Sequence, residues 1–119
     1  MILVDTLIWV DHLRGGNAGL SVLLNHSQVL MHPFVLGEIA LGNIHQRTVI
    51  LDLLGDLPWS QVADEIEILS FIERRELLGR GIGYVDVHLL AAVALNGTAR
   101  LWTGDRRLHD LANEMNLAH

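Results

Sequence analysis

The 119 residues carry 14 acidic groups against 8 basic ones, a formal net charge of −6, and no cysteine. That balance excludes a protein that coats nucleic acid through bulk positive charge, and the missing thiols exclude a disulfide framework, a thiolate metal site and a cysteine nucleophile. Every basic residue is arginine, which removes the lysine that a P-loop, a Schiff-base enzyme and receiver-type or haloacid-dehalogenase-type phosphoryl chemistry each need.

Half of the residues are hydrophobic and mean hydropathy is +0.34. Residues 1–119 are therefore expected to pack as a single domain without a disordered tail. No apolar run reaches the roughly 18 residues of a membrane span. The N-terminus opens on a strand and shows no basic stretch or cleavage signal of a leader. A reducing cytoplasm is the expected setting.

Met1-Ile2-Leu3-Val4 is an unbroken apolar run, the pattern of a strand buried on both faces, and it stops at Asp5-Thr6. Leu7 to Arg14 predicts a short helix with Thr6 as its N-cap and Gly15-Gly16 as its stop. Asn17 to Asn25 predicts a second helix, with Leu20, Leu23 and Leu24 on one face. Gln28 to Met31 reads as a strand ended by His32-Pro33, and Pro33 suits the first turn of a helix running to Gly42. Asn43 to Leu54 predicts a further helix, Leu57-Pro58-Trp59 a break, and Trp59 to Val62 a short strand. The longest helical pattern, Ala63 to Leu78, is acidic at its start and basic toward its end, as the helix dipole favours. Beyond the glycine-rich loop at 79–83, Asp86 to Asn96 is a helix apolar on nearly all sides, hence central, and Asn96-Gly97 stops it. Arg100 to Trp102 is a strand, Thr103-Gly104-Asp105 a turn, and Arg106 to Met115 the last helix. Strands alternating with helices give an α/β fold with a mainly parallel sheet.

Most acidic residues lie among polar neighbours or in loops and read as solvated surface, Asp11 included. Four do not. Asp5 ends the first strand, and Glu38 interrupts the apolar run Phe34 to Leu41. Asp86 opens the most apolar helix, and Asp105 follows the strand Arg100 to Trp102. Each has an ordinary reading: Asp5 or Asp86 as a helix cap, Asp105 as a turn residue, Glu38 as the partner of an arginine. Burying an unpaired carboxylate costs several kcal/mol, so such positions call for a compensating partner. Two of the four follow strands and share one edge of a parallel sheet, where open α/β folds bind ligands. Gathered together, the four would repel unless a cation neutralised them. A hard divalent ion with oxygen ligands, Mg²⁺ or Mn²⁺, fits an all-carboxylate site.

The histidines (seven in all) are scattered without HExxH or HxH spacing and read as surface or packing residues. Trp9, Trp59 and Trp102 read as core or interface residues, not base-stacking platforms.

Asp5-Thr6 after an apolar strand, Glu38 in a helix, Asp86-x-x-Leu89-x-Ala91-Ala92 and Thr103-x-Asp105 after a strand together resemble a PIN-domain ribonuclease, and more narrowly a VapC-type toxin of a toxin–antitoxin pair. The likeness spans essentially the whole chain, including the Trp9 to Arg14 helix. It implies a three-layer α/β/α sandwich and Mg²⁺- or Mn²⁺-dependent endonucleolytic cleavage of RNA. It also implies a homodimer held inactive by a cognate antitoxin of the VapB type, whose C-terminal segment often places an arginine in the acidic site. The family's acidic residues fall on Asp5, Glu38, Asp86 and Asp105, with Asp5, Asp86 and Asp105 as metal ligands and Glu38 acting on the attacking water. Its supporting hydroxyls fall on Thr6 and Thr103. Leu7 departs from the small polar residue frequent there, and the family's final strand is barely visible in Asn116 to His119. Arg14, Arg106 and Arg107 are candidates for holding flanking phosphates. Two rival readings use the same residues: a metal-dependent hydrolase of small phosphorylated substrates, and a catalytically inert PIN-fold binding module.

Overall fold

The computed structural model describes residues 1–119. Its centre is strand β1 (Ile2–Val4), which pairs in parallel with β2 (Val29–Leu30) on one side and β3 (Arg100–Trp102) on the other. All three residues of β1 are buried, as an unbroken apolar run flanked by strands on both sides requires. The ladder continues past both named edges. Met31 bridges Trp59 in parallel, and Leu101 bridges Ala118. The strand expected at 59–62 and the faint one at 116–119 are therefore present as single bridges. On the C-terminal side Leu101 N donates to Leu117 O at 2.7 Å, and His119 N donates to Leu101 O at 2.9 Å.

Between the strands run α1 (Thr6–Gly15), α2 (Ala18–Asn25), α3 (Pro33–Ala40), α4 (Arg47–Gly55), α5 (Glu65–Arg74) and α6 (Tyr84–Asn96), with α7 (Arg106–Glu114) after β3. α1 packs on α3 and α3 on α4, while α5 packs on α6 and both α6 and α7 lie on β3. α6 is buried from Val87 through Val93, as its uninterrupted apolar sequence predicts, and Gly97 closes it in the left-handed region at φ 82°. The result is an α/β fold on a parallel sheet.

Three local expectations fail for identifiable reasons. Thr6 is the first residue of α1, and Asp5 is its N-cap, accepting from Thr6 N. The helix expected from Asn43 begins only at Arg47, because Gln46 is left-handed at φ 50°. The Arg47 guanidinium reaches back to the carbonyls of Ala40 and Gly42 and so satisfies the end of α3. The helix expected to run to Leu78 stops at Arg74: Glu76 adopts φ 54° and Leu77 N donates back to Ile72 O at 3.1 Å. That reversal buries Leu77, and its backbone bond to Ile72 is that of a helix-ending Schellman turn.

His32 shows the cost of closing the core. It is fully buried, and its Nδ1 accepts Phe34 N at 3.0 Å as the N-cap of α3. Burial, together with the neighbouring His88, lowers its pKa to about 4. An unfolded histidine titrates near 6.5, so the stability held above that pH is lost as pH falls toward 4 and changes no further below it. The effect amounts to at most about 3 kcal/mol. Urea denaturation across this range should show the loss, and His32→Asn, which keeps an oxygen for the Phe34 amide, should flatten that part of the profile.

Candidate active site

The strand order β2-β1-β3 means that the chain leaves β1 in one direction for β2 and returns on its other side as β3. The carboxyl ends of β1 and β3 thus flank the point where the order reverses, the general location of ligand sites in open α/β sheets. Asp5 N donates to Trp102 O at 2.9 Å, which sets Asp5 beside Thr103. The Thr103 hydroxyl donates to Asp5 Oδ2 at 2.7 Å and accepts Asp105 N at 3.1 Å. One buried hydroxyl therefore holds together the residues that follow two strands 98 positions apart.

Asp5 itself is 8 % exposed, and its other oxygen accepts Thr6 N at 2.7 Å. The Thr6 side chain, one step into α1, donates to Glu38 Oε1 at 2.6 Å. A continuous chain of hydrogen bonds thus runs from Glu38 through Thr6, Asp5 and Thr103 to Asp105. Glu38 pairs with a hydroxyl and with no arginine.

Asp86 completes the edge from α6. It stands at the third position of the helix, and its Oδ2 accepts Gly83 N at 3.1 Å. Burial pushes its carboxyl above the usual range. The Gly83 amide opposes that shift, while the charges of Asp5, Asp105 and Glu38 reinforce it. The field at Asp86 therefore registers all three of the other acids. No cation offsets them, because the molecule's one ion pair is Arg80 with Glu114, elsewhere. Asp105 caps α7 through Leu108 N at 3.0 Å.

The sequence-predicted acids thus gather at one edge, and the capping roles considered for Asp5 and Asp86 are real as well, while Asp105, read as a turn residue, caps α7. Each aspartate rests on the amino end of a helix, where backbone amides and the helix dipole favour negative charge. The side chains do not close into a ligand shell: no group of three carboxylates or histidines is drawn tightly enough to hold a metal ion. The donor set nonetheless fits a hard divalent cation, being entirely oxygen and uncompensated in charge.

Of the candidate phosphate ligands, Arg14 shares the lining of a concavity with Glu38. Arg107 donates to Gly81 O at 3.5 Å, and Arg106 is exposed. Asp11 is exposed too, as expected. Sequence reasoning missed the concavity itself, of about 430 Å³, between α1, α3 and the start of α4, with Val10, Leu13, Ile39 and Ile50 among its walls. Apolar residues at helical spacing on three separate segments were its only signal. His88, read as a surface or packing residue, packs against Phe34 and Tyr84, at 4.6 and 4.7 Å between ring centroids.

The chain is 49% identical over 118 residues to Ribonuclease VapC32 of Mycobacterium tuberculosis, in both strain CDC 1551 / Oshkosh and strain ATCC 25618 / H37Rv, covering 99% of this chain and 95% of each relative. A chain from the solved structure of FitAB bound to an IR36 DNA fragment superposes with a TM-score of 0.61 at 19% identity, covering 95% of this chain and 91% of that one. That likeness is one of fold. No family model matches the chain.

Removing the Thr103 hydroxyl should leave a buried carboxylate oxygen unpaired. Thr103→Val is expected to cost about 1–3 kcal/mol and Thr103→Ser much less, measured by chemical denaturation.

Proposed function

The chain belongs to the VapC ribonuclease family of PIN-domain proteins, and from that premise we propose that it is the endoribonuclease toxin of a toxin–antitoxin pair, working through Asp5, Glu38, Asp86 and Asp105. The observation that carries the assignment of residues is the uncompensated acidic edge: Asp86 feels the charge of the other three acids, and no arginine is paired with any of them. Asp5, Asp86 and Asp105 would hold Mg²⁺ or Mn²⁺, which supplies a more acidic water and offsets charge on the phosphodiester oxygens. Thr103 fixes Asp5 and, through its amide, Asp105. Thr6 fixes Glu38, which then stands as the group that orients the attacking water and accepts its proton. Arg14 and Arg106 would hold phosphates on either side of the scissile bond.

Glu38 and Asp105 are exposed, so the edge is open to a long strand and not enclosed around a small phosphorylated molecule. This favours RNA over the small-substrate reading. The acidic quartet likewise disfavours an inert module, since retaining it costs the fold repulsion. We further assign the chain a VapB-type antitoxin, for which the concavity beside Glu38, walled by apolar and polar side chains alike, is a fitting seat and the acidic edge a natural sink for an inhibitory arginine. A homodimer acting in the cytoplasm completes the reading.

Mapping cleavage of total cellular RNA with and without EDTA tests it. Cleavage should require the ion and leave 5′-phosphate and 3′-hydroxyl ends, and Asp5→Asn should abolish it while the fold survives. Activity that persists in EDTA, or a 2′,3′-cyclic phosphate product, would overturn the mechanism. Independently, millimolar Mg²⁺ or Mn²⁺ should raise the melting temperature of the wild type and not of Asp86→Asn, because the ion binds only the folded state.

A further inference from the structure

An open depression of about 630 Å³ lies between the starts of α3, α5 and α6 and shares no residue with the concavity beside Glu38. Three rings line it: Phe34, Tyr84 and His88. His88 is the centre of the group, meeting both other rings edge to face. Burial lowers its pKa, so the imidazole is neutral at pH 7 and brings no charge to the wall. Its Nδ1 is buried and makes no hydrogen bond, a cost that calls for a reason beyond packing. Tyr84 differs from its neighbours. It is 56% exposed, a large ring braced by His88 and open to solvent over its remaining surface.

Two elements bring these rings beside the acidic edge. Phe34 stands four residues before Glu38 on α3, one turn and about 6 Å along the same face. Tyr84 is the first residue of α6, and Asp86 is the third. A strand laid across the acids therefore passes the depression with its neighbouring nucleotide.

The lining also carries charge of one sign. Asp64 and Glu65 belong to it, and neither is in an ion pair. Two carboxylates repel a phosphate but accept N–H groups. An exposed ring beside a carboxylate is the pair of contacts that reads an unstacked base, the ring by stacking and the acid by its Watson–Crick edge. Asp64 uses Oδ1 for the Glu67 amide, which leaves Glu65 as the reader. Guanine presents two adjacent donors, N1–H and the 2-amino group, to the two oxygens of one carboxylate. Adenine and cytosine present a single amino group there, and uracil a single imide N–H.

We propose that this depression is a base subsite for the RNA substrate, with guanine stacked on Tyr84 and donating its N1–H and 2-amino group to Glu65. This rests on the ribonuclease reading above and deepens it: the acidic edge holds the scissile phosphate, and the depression selects a guanosine beside it.

Fluorescence anisotropy on the full Asp5→Asn chain, which binds RNA without cutting it in that reading, tests the subsite by affinity. The probes are labelled short oligouridine strands carrying guanosine, adenosine or inosine at the centre, inosine lacking the 2-amino group. Guanosine should bind at least about tenfold tighter than adenosine, with inosine between them. Glu65→Gln should remove that order and leave the adenosine strand unaffected. Tyr84→Ala should weaken all three strands about fivefold or more, the cost of one lost stack, and Tyr84→Phe should not. Both side chains are exposed, so the fold is not at stake.

Equal affinity for the three strands overturns the subsite, as does a guanosine preference that survives both Glu65→Gln and Tyr84→Ala. If Tyr84→Ala leaves RNA affinity intact and changes the sedimenting mass, the depression is a protein contact and the proposal falls. A wild type that cuts RNA without guanosine at a fixed distance from the cut overturns the subsite alone. One that cuts nothing while the guanosine preference holds overturns the ribonuclease reading and leaves the subsite standing.

Discussion

The hydrogen bond from Thr103 to Asp5 organises the acidic edge. It is short, buried and charge-assisted, the class of hydrogen bond that contributes most when water is excluded. Without it, a carboxylate behind the central strand would face the core with one oxygen unpaired. With it, the ends of β1 and β3 are locked in register, and the amide of Asp105 is drawn to the same hydroxyl. The position of three site residues thus follows from one side chain and the parallel pairing beneath it.

Helix amino ends perform the second task, holding carboxylates near one another without mutual contact. Asp5, Asp86 and Asp105 each accept a backbone amide at the start of α1, α6 and α7 respectively. The partial positive charge there offsets part of the repulsion. The offset is incomplete, because burial and the three neighbouring acids still raise the Asp86 carboxyl above its usual range. Residual repulsion of this kind is what a bound cation or an inserted arginine can relieve. The capping of these aspartates is thus compatible with the role proposed for them.

Much of this was legible in the residues. The four acids stood out because each interrupted or ended an apolar run, and a carboxylate in that company needs a partner. The strands at 2–4 and 100–102 and the buried helix ending at Asn96 were equally plain, since continuous apolar runs and an Asn-Gly stop are strong local signals. Failures occurred where tertiary contacts override local pattern. Thr6 gives up the cap to Asp5 because its hydroxyl is needed by Glu38, 32 residues away. The α5 helix ends early because burying Leu77 is worth a left-handed turn at Glu76.

The sequence by itself determined the fold class and singled out four acids set among apolar residues, because these depend on composition and on local apolar patterning. It did not show that Asp5 and Asp105 are joined through Thr103, that Asp86 lies within reach of the other three charges, or that α1, α3 and the start of α4 form a concavity beside Glu38. Those are relations between segments tens of residues apart. Only the order in which the strands pair, with β1 between β2 and β3, decides which segments become neighbours.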